Sequence, residues 1–430
     1  MSDHRQRLVP PTPSRRRHSS LPGYGIWLAA AAVLAVLPHI FSSGLALSTL
    51  CLMGTMVIFA LSYNMLLGQT GLLSFGHAVF FGLGGFVTAH AMNAVAASAL
   101  PLPLLAFPLI GGAGGLVFGV LLGAVATRRA GTAFAMITLG IGQLVSSGAL
   151  ILRHVFGGEE GITVDRTDLV HPFGLTFGPQ IQIYYLIAAW CLVSAIAMHA
   201  ITRTPFGRIC NAVRDNPARV QFIGYNTTTV RFIAFSLSGF FAGIAGGLAA
   251  INFELMNAAQ MGATESGSVI LMAYIGGTGF FGGPIIGAVL VTYLQLMLSG
   301  VTDAWQFYFG LLFIGVVMFL PNGIAGLLMA QRPLLQRRRL HRVAPYYLVA
   351  AIPGIVALAG LAMVVEMTTQ LTVRAADGPS LSFVQIPVQA NTILPWIVAI
   401  MLLATGGIAF LRAAKAARQA YDAALAGGSR

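Results

Sequence analysis

The chain has 430 residues, of which 57% are hydrophobic and only 8% are charged, and its mean hydropathy is +0.82. A soluble domain carries a charge on about a quarter of its residues, so this composition excludes one. The net charge of +12 fits the arginine excess that membrane proteins keep on their cytoplasmic side, and we expect no nucleic-acid partner. The cysteines, Cys51, Cys191 and Cys210, show no evident pairing, so neither a disulfide nor a metal site is expected.

Continuous apolar stretches long enough to cross a hydrocarbon core of ~30 Å recur along the sequence. They predict helices and argue against a barrel, whose strands would alternate. We expect an all-α polytopic membrane protein with about ten transmembrane helices and two extra C-terminal ones. In the stretch 266–300, a re-entrant turn is an alternative to two helices. The predicted helices cover roughly residues 26–41, 46–67, 72–93, 103–126, 132–152, 181–201, 232–252, 266–281, 283–300, 305–321, 346–366 and 392–411.

Charge sets the expected orientation of these helices. With residues 1–25 in the cytoplasm as a basic, disordered tail, alternation places the long segment 202–231 and the C-terminus there too. All 24 Lys and Arg residues except Arg153, Arg166 and Arg374 then lie in the cytoplasm, as the positive-inside rule requires.

The segment "GRICNAVRDNPARVQFIGYN", residues 207–226, stands out by its charge. Asn216 suits a helix N-cap, Pro217 the first helical position and Gly224 a left-handed stop. Together they predict about two helical turns over residues 217–223, lying outside the bilayer.

Val220 and Ile223 lie three residues apart in this short helix, which predicts an apolar ridge with Arg214 and Arg219 beside it. A rigid helix of this kind fits a groove on another protein. The alternative is a solvated loop without a partner.

Two glycine-rich turns, "GQTGLLSFGHA" and "GGTGFFGGP", share the pattern Gly-x-Thr-Gly followed by apolar and small residues. Glycine clusters at membrane depth let helices break or pack closely, and broken helices expose groups that hold polar solutes. Hydrogen-bonded helix packing is the alternative. On the functional interpretation six polar residues line or gate a path: Asn64, Gln69, Thr70, Ser74, His77 and Thr278.

Three stretches resemble the LivM type of branched-chain amino-acid ABC importer permease. The first runs from "TPFGRICNAVRDNPARVQFIGYN" into an Ala/Gly-rich helix and includes Ala218. The others are "LSYNMLLGQTGLLSFGHAVFFGLGGF" and "GGTGFFGGPIIGAVL". The resemblance covers roughly residues 26–330, the expected permease domain.

The resemblance implies a second homologous permease subunit, two cytoplasmic ABC ATPase subunits and an external solute-binding protein, assembled in a bacterial inner membrane. The helix 217–223 would be the coupling helix that sits in an ATPase groove. The external element Gly157, Gly158, Gly161 and Ile162, with Glu159 and Glu160 in its variable places, would lie where the binding protein docks. A solvated connector is the alternative for that loop.

The sequence carries no Walker-type ATP site. A P-loop needs a lysine after its glycines, and the only lysine is Lys415, in "RAAKAAR". ATP and Mg are therefore expected on partner subunits, and this chain is expected to bind no cofactor and to be no enzyme.

Two other classes of function compete with an importer subunit. A proton-coupled secondary transporter usually needs an ionisable residue within a span, whereas every carboxylate here is expected in a loop or at an outer helix end. Sodium coupling through unwound carbonyls stays open. A membrane enzyme lacks support, since no carboxylate pair, metal-ligand spacing or nucleophile–base pattern falls within a predicted span. Branched-chain amino acids are the family's default solute, and urea, short amides and aromatic acids are alternatives.

Residues 331–430 depart from the usual permease. They predict a C-terminal extension with two transmembrane helices and an external segment, in which "QLTVRAADGPSLSFVQIPV" predicts a β-hairpin around Asp377-Gly378.

Overall fold

The computed structural model describes residues 23–98, 102–167, 176–320, 322–336, 340–372, 374, 380–383 and 386–426. Residues 1–22 of the predicted tail lie outside this part, and residues 23–25 begin the first helix. The helices are α1 Gly23–Ile40, α2 Gly44–Thr70, α3 Ala78–Ser98, α4 Phe107–Ala126, α5 Thr132–Ile151, α6 Arg153–Phe156, α7 Gln180–Arg203, α8 Pro205–Asp215, α9 Pro217–Phe222, α10 Thr227–Phe253, α11 Ala263–Gly276, α12 Gly283–Ser299, α13 Trp305–Phe319, α14 Gly323–Gln336, α15 Leu340–Thr372 and α16 Ile393–Ala426.

The fold is an all-α multi-pass membrane fold, as predicted. Within the described ranges 8 helices are long and apolar enough to cross a membrane, and α13 with α14, bent by 42° at their junction, make a ninth candidate. Helices α11 and α12 have 14 and 17 residues, and at 1.5 Å per residue the first rises only about 21 Å. The count of twelve spans therefore stays a prediction.

Helix α3 begins later than predicted. The expected start at residue 72 is wrong, because Gly71 adopts a left-handed conformation (φ 71°) that ends α2. Residues 71–77 then run without helical structure until Ala78.

Helix α10 lies at the centre of the bundle and packs against α2, α3 and α4. Glycines bring the backbones into direct contact. A methyl group on Gly111 of α4 would lie 2.7 Å from the carbonyl oxygen of Gly243 in α10, and one on Gly239 would lie 2.8 Å from that of Gly115. Because apolar side chains gain little by leaving lipid, such small-residue contacts are what bring membrane helices together.

The C-terminal extension forms an antiparallel helix pair, α15 with α16. It is attached to the bundle by polar contacts. The hydroxyl of Tyr308 in α13 donates to Glu366 Oε1 at 3.0 Å, and Arg374 Nε lies 2.6 Å from Asp303 Oδ2. Near the other end, the Tyr421 hydroxyl donates to the carbonyl of Ala330 at 2.8 Å.

The hairpin predicted around Asp377-Gly378 is wrongly placed. Residues up to Thr372 continue α15, and the strands are β3 Ser380–Phe383 and β4 Ile386–Gln389, paired antiparallel. Both strands follow the predicted turn, and Asp377-Gly378 itself lies outside the described residues.

Replacement of Gly243 by Ala is expected to lower the midpoint of thermal unfolding of the detergent-purified chain, because the added methyl group overlaps the backbone of α4. Overpacking of this kind costs about 1–3 kcal/mol. Gly140→Ala in α5 is the matched control, since a methyl group there meets nothing within 4 Å, while helix propensity changes alike at both sites. An unchanged midpoint for Gly243→Ala would contradict the backbone contact.

Candidate functional site

Two short helices, α8 and α9, form the segment between α7 and α10. The Thr204 hydroxyl caps α8 by accepting from the amide of Gly207 at 3.3 Å, and Asn216 Oδ1 caps α9 by accepting from the amide of Arg219 at 3.0 Å. Gly224 follows with φ 92°. The predicted helix over 217–223 is thus confirmed as a local structure and is one residue shorter.

Helix α8 was not predicted. Its signals are the Thr204-Pro205 start and the apolar residues Phe206, Ile209 and Val213 at helical spacing. The charged residues Arg208, Arg214 and Asp215 exclude a transmembrane helix here, so the apolar spacing was the remaining signal for a helix outside the bilayer.

The buried side of α8 and α9 is an apolar cluster. It joins Cys210 and Val213 of α8 and Val220 of α9 to Val230 and Ala234 of α10. The prediction that Val220 forms part of an outward ridge is therefore wrong: the side chain is 2% exposed, because the helix uses it as its anchor on α10.

The outward side of α9 carries a different apolar patch. Phe222 is 92% exposed, Ile223 67% and Tyr225 46%, and Ala218 and Arg219 are exposed beside them. We call Ala218, Arg219, Phe222, Ile223 and Tyr225 the α9 patch. Large apolar groups grouped on a short polar helix mark an interaction surface.

Arg214 and Arg219, predicted together, have separate surroundings. Arg214 reaches α2, where its Nη1 donates to the carbonyl oxygen of Gly68 and its Nε lies 3.1 Å from Asp215 Oδ1. A cation suits this position, because the C-terminal carbonyls of a helix carry partial negative charge. The Arg219 side chain forms no hydrogen bond or ion pair with any other residue in the described ranges.

The first glycine-rich turn is packed into the protein. His77 is fully buried; its Nε2 lies 3.0 Å from Ser62 Oγ, and its ring stacks on Phe59. Two amides at the turn and at the start of α3 are held across helices, since Phe75 N donates to Thr138 Oγ1 and Ala78 N to Ser266 Oγ, both at 3.2 Å.

The two glycine-rich turns meet at the end of α2. A methyl group on Gly68 would collide with the Asn64 side chain and would lie 2.8 Å from the carbonyl oxygen of Thr278. Asn64, Thr70 and Ser74 are buried, whereas Gln69 and Thr278 are half-buried. Of the six predicted path residues, Asn64 and Thr278 thus meet at Gly68, and the role of all six in a path stays a prediction.

A cavity of about 440 Å³ lies at the opposite end of α10 from α9. The sequence did not predict the polar lining of this cavity, because its residues come from separate segments and no regular spacing in the sequence links them. Apolar walls come from Leu52, Met56, Phe81, Phe253, Met272 and Leu296. The polar residues are Gln260, Glu265, Thr292, Gln295 and Ser299.

The loop after α6 is tied to the same end of α10. Strand β1 Ile162–Thr163 pairs antiparallel with β2 Leu255–Met256. Arg166 donates to the carbonyl oxygen of Ile251 at 3.4 Å and lies 3.6 Å from Glu254. The predicted docking element, with Glu159 and Glu160 exposed, is thus held on a braced loop.

The sequence matches a known family over most of this bundle. The family described as "Branched-chain amino acid transport system / permease component" matches residues 45–321, and the chain belongs to it. No solved structure matches the chain.

Individual relatives are permease proteins of transport and import systems. The high-affinity branched-chain amino acid transport system permease protein LivM of Escherichia coli is 27% identical over 325 residues, covering 70% of this chain and 74% of LivM. The LivM of Salmonella typhimurium is 26% identical over the same length. The autoinducer 2 import system permease protein LsrC of Yersinia enterocolitica is 31% identical over 169 residues, covering 37% of this chain and 45% of LsrC.

Replacement of Arg214 by Ala is expected to speed amide hydrogen exchange in the last turn of α2 and in residues 71–77, because the Gly68 carbonyl loses its donor. A hydrogen bond to a charged, partly exposed group is worth about 1 kcal/mol, which corresponds to about fivefold faster exchange where local opening limits it. Arg219→Ala is the control and leaves this region unchanged. Equal effects of the two substitutions would contradict the separation of their roles.

Proposed function

We propose that this chain is the transmembrane permease subunit of an ABC importer that carries a small amino acid, with branched-chain amino acids as the default solute, across the bacterial inner membrane. The assembly contains a second homologous permease, two cytoplasmic ATPases and an external solute-binding protein. Family membership and the two LivM relatives support this proposal. Urea, short amides and aromatic acids are the alternative solutes.

The α9 patch is the observation that carries the proposal. Phe222, at 92% exposed, lies on a short helix that is anchored through Val220 and precedes α10, outside the helices that could cross a membrane. We assign the patch to the groove of an ATPase subunit. Interfaces of this kind depend on a few large apolar or arginine side chains, and the patch offers Phe222, Ile223 and Arg219.

Both termini are placed in the cytoplasm in this proposal, on the same side as α9. The cavity and the β1–β2 pair then face the external side, where Glu159 and Glu160 meet the binding protein. ATP and Mg belong to the partner subunits, since Lys415 has no P-loop around it.

The most direct test is purification of the tagged chain from its native membrane in detergent. A co-purifying subunit with a Walker motif, together with ATP-dependent leucine uptake by the reconstituted complex, would support the proposal. Uptake by this chain alone, driven by an ion gradient, would contradict it and favour a secondary transporter.

Replacement of Phe222 by Asp is expected to reduce the co-purified ATPase at least tenfold, since one central interface anchor is worth about 2 kcal/mol or more. Folding is unaffected because the side chain is exposed. Val301→Asp is the matched control: Val301 is 80% exposed and lies between α12 and α13, at the opposite end of the bundle. Normal ATPase recovery with Phe222→Asp would reject the α9 patch as the docking site.

A further inference from the structure

The cavity beside α11 combines apolar walls with one carboxylate. Glu265 stands in the first turn of α11 and, in the described part of the chain, forms no ion pair or hydrogen bond through its side chain. Opposite it, α12 contributes Thr292 and Gln295, and the turn before α11 contributes Gln260. At about 440 Å³ the space is within the size range of sites for small molecules.

Polar atoms in the cavity lack partners within the protein. Thr292 is 2% exposed, yet neither its Oγ1 nor the buried Gln260 Oε1 has a hydrogen-bond partner among the described residues. Buried polar groups are normally hydrogen-bonded, and each exception needs an explanation. A polar solute bound in the cavity during transport would supply hydrogen-bond partners for these two atoms and so explain them.

We propose that this cavity is a transit site for a solute with an ammonium group and an apolar body, in which the Glu265 carboxylate holds the ammonium. The side-chain amides of Gln260 and Gln295 provide donors for a solute carboxylate. Met56, Phe81 and Met272 surround the apolar part. This inference rests on the proposed function, and among its candidate solutes it favours amino acids over urea and neutral amides.

Glu265 also has a structural role beside the proposed one, because a carboxylate in the first turn of a helix stabilises the partial positive charge of its N-terminus. That role does not distinguish a cationic solute from an anionic one. The test therefore compares probes that differ only in their charged groups.

The test uses the assembled transporter carrying Ser299→Cys, with Cys51, Cys191 and Cys210 replaced. Ser299 is exposed and lines the cavity. Labelling of S299C by a membrane-impermeant thiol reagent is timed with leucine, with 3-methylbutylamine, which lacks the carboxylate, or with 4-methylpentanoate, which lacks the ammonium. We expect leucine and the amine to slow labelling and 4-methylpentanoate to leave it unchanged.

Adding Glu265→Gln to S299C is expected to raise the leucine concentration for half protection by about tenfold or more, as loss of one charged hydrogen bond implies. Glu265→Asp should restore part of the protection, and Glu366→Gln, which removes a carboxylate that does not line the cavity, should change nothing. Equal protection by 4-methylpentanoate, or protection that survives Glu265→Gln, would overturn the site.

The experiment distinguishes rejection of the cavity assignment from rejection of the proposed transport function. Protection requires no ATP, so it is measured whether or not transport occurs. Absent ATP-dependent leucine uptake by the unsubstituted complex rejects leucine as the solute of the proposed importer, whereas normal uptake with unprotected S299C rejects only the cavity assignment.

Discussion

The close approach of α10 to α3 and α4 is the contact on which the rest of the structure depends. Lipid is as apolar as leucine, so membrane helices associate through packing and hydrogen bonds more than through hydrophobic burial. Glycines at 111, 115, 239 and 243 let the backbones touch. With 27 residues, α10 spans about 40 Å and connects the two ends of the molecule: Val230 belongs to the cluster that holds α9, and Phe253 lines the cavity.

Arg214 adds a second connection at the α9 end. Through the carbonyl of Gly68 it joins α8 to the last turn of α2, which is also where the two glycine-rich turns meet. Helix α9 is therefore fixed to α10 by apolar packing and, through α8, to α2 by a charged hydrogen bond. A displacement of α9 would therefore act on both α10 and α2, as expected of a segment that is proposed to transmit the motion of an ATPase.

Local chemistry made part of this structure predictable from sequence. The cap at Asn216 and the stop at Gly224 depend on neighbouring residues alone, so α9 was predicted to within one residue. The direction of Val220 depends on the surface of α10, which no local signal encodes. The cavity was beyond sequence reasoning for the same reason: Leu52, Glu265 and Thr292 belong to different helices, and only tertiary packing brings them together.

The attachment of α15 restricts how this protein can assemble. Tyr308 in the first turn of α13 contacts Glu366 in α15, and Asp303 before α13 contacts Arg374 after α15, so the protein's own C-terminal pair meets the bundle near the start of α13. In the proposed assembly, the second permease would approach another part of the bundle. The extension thus takes up part of the lateral surface through which the bundle could meet another protein in the plane of the membrane.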